Sequence, residues 1–250
     1  MANRLSYYQN NQKMTFMRFF KPFASILILI VGLASCNVRE DPGPIQYNEQ
    51  PFAISDFDRL DIGDAMYVTI TRGNLFSVTA KGDRRNLDDL EVSKVGNTLV
   101  TRFTKNRNRK HTTYITISMP SLVSADFYGA ATAYISGFEE ESLTLNLSGA
   151  SFAQVDIEAD ISKINLSGAS NLTLAGSSKA VVSELSGASL LKAYNMEVED
   201  MNVKASGASH AYVRASKTLN AEASGASSIL YRGEATVSST ATGASSIIKD

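Results

Sequence analysis

From about residue 121 onward, apolar side chains fall on every second position, and the tetrapeptide Ser-Gly-Ala-Ser resets the alternation at regular intervals. The tetrapeptide stands at Ser148–Ser151, Ser167–Ser170, Ser186–Ser189, Ser206–Ser209 and Ser224–Ser227, with a variant at Thr242–Ser245 and a degenerate copy at Tyr128–Ala131. Its glycines are Gly129, Gly149, Gly168, Gly187, Gly207, Gly225 and Gly243, and their successive numbers differ by 20, 19, 19, 20, 18 and 18. Two residues before each glycine stand Phe127, Leu147, Leu166, Leu185, Ala205, Ala223 and Ala241. Four residues after come Ala133, Ala153, Leu172, Leu191, Ala211, Ile229 and Ile247, and six after come Ile135, Val155, Leu174, Ala193, Val213 and Tyr231. This is the strand period of two, not the helical period of 3.6, so helix is excluded for this half.

A unit this short cannot close a core by itself, so neighbouring units must stack. The fold class expected is all-β: a right-handed parallel β-helix, or β-solenoid, one repeat to a coil, with successive coils about 4.8 Å apart and a repeat stack roughly 29 Å long. The seven glycines are its corners, where a Cβ would be penalised, and the alanine after each lets equivalent corners lie on one another. The flanking serines are expected to form ladders that satisfy corner backbone groups. The change from Phe and Leu to Ala two positions before the glycine predicts a section that narrows toward the C-terminus.

Residues 53–120 are punctuated differently. Alternating runs at 59–62, 67–70, 76–80, 98–103 and 114–118 lie between turn signals such as Arg72-Gly73-Asn74 and Gly96-Asn97. They predict hairpin-like strands or irregular first coils that cap the stack, whose bare end would be an aggregation template. No strong linker separates them from the repeats in 121–250, so 53–250 is expected to be one β domain.

The start of the chain reads as an address. Residues 1–35 hold Arg4, Lys13, Arg18 and Lys21, no acidic residue, and an apolar run from Phe23 to Ala34. That run is shorter than the roughly 20 residues a membrane-spanning helix takes, and the layout is that of a secretory signal peptide. Leu33-Ala34-Ser35-Cys36 resembles the lipobox of bacterial lipoproteins, which implies that Cys36 becomes a lipidated N-terminus holding the chain to a membrane. Met14 and Met17 are alternative starts to Met1. Asn37 after the cysteine, in place of an aspartate, implies outer-membrane sorting, and Arg39-Glu40-Asp41 resembles a surface-export signal. Residues 36–52, polar and carrying Pro42, Gly43 and Pro44, are expected to be a flexible tether.

Composition then removes function classes. The chain has 250 residues, a formal net charge of −1, one cysteine, two histidines and no tryptophan. One cysteine excludes an intramolecular disulfide framework, and the balanced charge argues against a nucleic-acid partner. Cleavage before Cys36 would remove four of the 24 basic side chains and none of the 25 acidic ones, leaving a mildly acidic mature chain. Asp156, Glu158 and Asp160 share strand parity and are candidates for a cation or ligand contact, against the alternative of a solvated acidic edge. The basic loop 105–111 is a candidate for anionic polysaccharide or headgroups, against that of a solvated hairpin tip. Tyr134, Tyr194, Tyr212 and Tyr231 fall close in repeat phase and are candidates for an aromatic strip suited to glycans. No catalytic cluster, cofactor motif or calcium-binding nonapeptide repeat is present, and His210 is expected to be exposed and non-catalytic.

The lipobox, Phe57-x-x-Leu60-x-Ile62, Val68-x-Ile70-x-x-Gly73, Val78-x-Ala80-x-Gly82 and the recurring Ser-Gly-Ala-Ser together resemble the putative auto-transporter adhesin, head GIN domain family of surface proteins, over roughly residues 55–248. The resemblance implies a β-helical fold and an envelope location, and carries no site residues. The function expected is a non-enzymatic, lipid-anchored envelope protein whose solenoid presents a surface to a glycan, matrix or envelope partner. A pectinase-like β-helix enzyme and a ligand-free envelope scaffold are the alternatives.

Overall fold

A computed structural model of the protein describes residues 43–250. Cys36 and the signal peptide expected over residues 1–35 lie outside the described residues. In the repeats, each coil is one long strand bent partway along its length: β9 (Thr132–Leu147), β10 (Phe152–Leu166), β11 (Asn171–Leu185) and β12 (Leu190–Ala205). Each pairs in parallel with the next, Phe152 opposite Thr132 and Asn171, and Leu172 opposite Ala153 and Leu191. The inward parity slips by one between Ala159 and Ser162, which is the second bend of the coil and leaves Ile161 partly in solvent. The two shortest repeats are those in which the long strand divides, into β13 (His210–Arg214) and β14 (Thr218–Ala223), then β15 (Ser228–Arg232) and β16 (Thr236–Ala241), with β17 (Ser246–Lys249) last. The stack makes about seven turns.

The core follows the sequence alternation. Phe127, Leu147, Leu166 and Leu185 are buried in line, and Ala205 and Ala223 continue the line as the coils shorten. A leucine buried in this way contributes about 1.5–3 kcal/mol. Tyr231 and Ile247, in the last coils, are only partly buried against the core. At the corners each tetrapeptide glycine has φ between +71° and +75°. The alanine amide after it donates to the glycine carbonyl of the coil before, as from Ala188 to Gly168 at 2.7 Å. Both serines bond further corner carbonyls. The first reaches across to the coil before, as Ser206 Oγ does in donating to the Leu185 carbonyl at 3.1 Å. The second is the buried member of the pair and turns back to its own coil, Ser189 Oγ donating to the Ser186 carbonyl at 3.0 Å and Ser209 Oγ to Ser206 at 2.6 Å, so that its hydroxyl closes the turn; Ser227 Oγ also reaches the Ala205 carbonyl of the coil before at 3.0 Å.

The region before the repeats is part of the stack, with its coils out of chain order. β2 (Arg59–Ile62) and β3 (Met66–Arg72) form one coil; β6 (Thr98–Phe103) and β7 (Thr113–Met119) form another. β2 pairs in parallel with both β6 and β8 (Ser124–Phe127), and β3 with both β7 and β9. The β2–β3 coil is therefore sandwiched between a later coil and the repeats. Its corner is Asp64, a non-glycine residue at φ +62°, whose carbonyl accepts from Ala130 as the corner glycines do from the coil that follows them. Aspartate serves because its carboxylate also accepts the Phe103 amide at 2.8 Å, at the end of a neighbouring strand that has no tight corner of its own.

Three antiparallel strands finish this end. β5 (Leu90–Val95) covers β6, β4 (Ser77–Asp83) covers β7, and β1 (Tyr47–Phe52) covers β4. The tether expected over 36–52 is corrected here: residues 47–52 are an ordered edge strand, because Tyr47 through Phe52 find backbone partners from Asp83 back to Val78. Pro51 within it suits an edge position. The stretch is held by Asp83, whose buried carboxylate accepts the Gln46 amide at 3.2 Å, the Arg85 amide at 2.9 Å and the Arg85 Nε at 2.8 Å. The Arg85 guanidinium holds the Asp83 carboxyl well below the usual carboxylate range. With its folded pKa depressed, Asp83 stabilises the fold fully above its unfolded value of about 3.9 and loses that contribution as pH falls toward the folded value. Asp83→Asn should therefore be less stable than the parent at pH 7, with the gap narrowing at pH 3, as urea unfolding at the two pH values would read.

Candidate binding surface

The outer face of the β7–β3–β9–β10 region is set by the same alternation that builds the core. Val68, Ile70, Ile115, Ile117, Ala133 and Ile135 point in, so Tyr67, Thr69, Tyr114, Thr116, Thr132 and Tyr134 point out. Register then brings residues from distant parts of the chain together. Tyr67 lies opposite both Tyr114 and Thr132, and Thr132 lies opposite Phe152. The Tyr67 ring is 5.3 Å from Tyr114 and 5.1 Å from Tyr134, stacked on the latter at 27°, and Tyr134 is 6.1 Å from Phe152. Tyr114 is 48% exposed and the other three rings are half-buried. Four rings on four adjacent strands make a continuous aromatic strip, with Thr69, Thr116, Thr132 and Gln154 between and beside them. The neighbouring Tyr134 hydroxyl raises the Tyr67 phenol above its ordinary pKa.

The expected strip of Tyr134, Tyr194, Tyr212 and Tyr231 is split by the structure. Only Tyr134 belongs to the group above. Tyr194 occupies the residue by which the β11–β12 register shifts; it meets Tyr212 edge-on at 5.6 Å, and the Arg232 guanidinium lies 4.0 Å over its ring. Arg232 is itself bound to Asp250 at 2.5 Å, so that ring face is covered. Burial and the Asp250 carboxylate push the Tyr194 phenol up to about 12. Tyr231 is in the inward phase. Tyr67 and Tyr114 were missed because they precede the repeats, although inward Ile62, Val68 and Ile70 at two before, four after and six after Asp64 mark the same coil phase.

Asp156, Glu158 and Asp160 do project from one face of β10. Alternate side chains on a strand are about 6.6 Å apart, however, so the three are spread along it rather than gathered. Asp160 pairs with Lys179 at 2.7 Å, and one step on, Glu199 pairs with Lys217 at 2.6 Å. Both lysines are raised above their ordinary pKa by these carboxylates. The result is a ladder of alternating charge along a shallow depression at the second bend, into which Glu158 also projects and Asp156 does not. Among the described residues no three His, Cys, Asp or Glu side chains are placed to hold a metal ion.

Three cations of the basic loop converge on one buried carboxylate. Lys105 at 3.2 Å, Arg107 at 2.5 Å and Arg109 at 3.3 Å all reach the buried carboxylate of Asp89, and Arg109 lies 3.5 Å over the Phe103 ring. His111 stands 3.9 Å from Asp83, and His210 is exposed on β13. Among the described residues no helix is long and apolar enough to cross a membrane.

The family profile described as "Putative auto-transporter adhesin, head GIN domain" matches residues 56–235. A crystal structure of a "putative adhesin" from Bacteroides fragilis superposes with a TM-score of 0.77 at 18% identity, over 86% of this chain and 100% of that one. A "putative lipid binding protein" from Parabacteroides distasonis gives 0.68 at 15% identity, over 82% and 96%, and a "putative adhesin" from Parabacteroides merdae gives 0.67 at 15% identity over the same shares. At these identities the likeness is one of fold. No curated protein is significantly similar to the chain.

Proposed function

This chain belongs to the putative auto-transporter adhesin, head GIN domain family, and on that premise we propose that it is a lipid-anchored envelope protein that uses the lateral face of its solenoid for adhesion, without catalysis. The observation that carries this reading is the outer face of the β7–β3–β9–β10 region: an outward-facing, regular array of aromatic and hydroxyl side chains, half-buried to exposed, on a stack of coils. Rigid, preformed surfaces lose little conformational entropy on binding. The anchor is carried by Leu33-Ala34-Ser35-Cys36, and the outer membrane is the destination that Asn37 implies. Two acyl chains give lasting attachment where one gives only reversible binding.

Cys36→Ser in the native host tests the anchor: the chain should move from the envelope to the soluble fraction and lose incorporation of labelled palmitate. Retention in the envelope without label would overturn it. Deleting the chain should lower attachment of cells to coated surfaces, with recovery on complementation. The mature protein should release no new reducing ends or unsaturated products from a panel of polysaccharides. Reproducible release, lost on replacing Asp156, Glu158 and Asp160 by Ala, would favour an enzyme instead.

A further inference from the structure

Resting on the adhesive reading, we propose that Tyr67, Tyr114, Tyr134 and Phe152 form the platform on which this protein binds an uncharged oligosaccharide chain. The rings occupy four adjacent strands, and three spacings of about 4.8 Å give a strip about 14 Å long, room for several sugar rings in a row. Sugar rings offer apolar C–H faces to aromatic rings and hydroxyls around their edge. The strip supplies both partners: aromatic surface along its length, with the Tyr67 and Tyr134 rings stacked on each other and Tyr114 and Phe152 tilted against them at 52° and 53°, and Thr69, Thr116, Thr132 and Gln154 to exchange hydrogen bonds at its sides.

Charge decides the class of sugar. Lys81, opposite Tyr114 on β4, is paired with Glu49 at 3.2 Å, and Arg72, at the end of β3, with Glu139 at 3.1 Å. These two flanking cations are thus already matched, and the exposed Lys192, two strands beyond Gln154, is a single further charge on this face. A polyanion would find no concentrated positive charge here, whereas a neutral chain needs none. The other aromatic group on this face is the pair Tyr194, under the Arg232 guanidinium, and Tyr212, edge-on to it, and it supplies an internal control.

The test is binding of unlipidated mature chain, made with Cys36→Ser, to cello-, xylo-, manno- and chito-hexaose, with polygalacturonate and heparin as charged comparisons. At least one neutral hexaose should bind. Tyr67→Ala and Tyr134→Ala should each weaken it about tenfold or more, Tyr212→Ala should change it less than twofold, and thermal unfolding should show all variants folded. Tyr67→Leu and Tyr134→Leu, which keep the strand and the apolar cover but remove the π face, should weaken it likewise. Binding of charged polymers alone, of no sugar in the panel, or of a neutral hexaose with equal strength by the Tyr67 and Tyr134 variants would overturn the platform. The wider reading fails separately: cells lacking the whole chain would then attach as well as the parent strain.

Discussion

Gly187→Val should break the stack in its middle and lower the unfolding midpoint by about 10 °C or more. Two costs add at this position. With φ at +73°, a side chain there is strained by roughly 1–2 kcal/mol, more when β-branched. A Cβ would also lie 2.5 Å from the Gly168 carbonyl oxygen, which already accepts the Ala188 amide at 2.7 Å. That oxygen belongs to backbone held by its own ladder and cannot withdraw without breaking the corners on both sides. The combined loss falls in the exceptional range above about 4 kcal/mol, and in a chain of this size each kcal/mol moves the midpoint by about 2–4 °C. Gly96→Val separates the two costs: Gly96 has φ +60° with nothing within 4 Å of a built Cβ, so it should show the strain alone and a fall of only a few degrees. Because coils touch only their neighbours, hydrogen exchange in Gly187→Val should accelerate in β11 and β12 before β2 and β3. Equal midpoints for Gly187→Val and Gly96→Val would contradict the corner stacking.

Asp89→Ala should open the basic loop at the other end of the stack. Its carboxylate side chain is 3% exposed and takes three cations, of which Lys105 and Arg107 are exposed enough that solvent screens much of their share. Arg109, 14% exposed and stacked on Phe103, is the partner whose stranding costs most. Removing one member of a buried pair costs about 3–5 kcal/mol, and the lower end applies to this partly wet site. The Asp89 carbonyl still accepts from the Thr104 amide at 2.8 Å, so the strand after it should stay in place while residues 105–111 come loose. Trypsin should then cut rapidly at Arg107 and Arg109 in the variant and slowly in the parent. Equal cleavage rates would show that the loop is held by its backbone and not by the carboxylate.

The repeat region was legible because local chemistry and global geometry agree there. Each inward position named by the alternation, from Phe127 to Ala223, is buried, and each tetrapeptide glycine is a left-handed corner. Where they part, the sequence signal fails. Asp64 is a corner without a glycine, tolerated because its side chain bonds Phe103. Gly176 stands outside the tetrapeptide, yet at φ +99° its Cβ would lie 1.9 Å from the carbonyl oxygen of Ile157, its partner in the coil before. Polar Tyr47–Phe52 has the composition of a tether and becomes a strand only because β4 offers it an edge.

The sequence by itself determined that coils exist, where they turn and which side chains fill them, because a period of two and a recurring glycine are local properties of the chain. Tertiary structure alone decided which coils lie side by side. The β2–β3 coil enters between β6–β7 and β8–β9, and that order, set by strand register between residues far apart in sequence, gathers Tyr67, Tyr114, Tyr134 and Phe152 into one strip while leaving Tyr194 under Arg232. A core can be read from one strand at a time; a surface is shared by neighbours, and neighbours are chosen only when the whole stack closes.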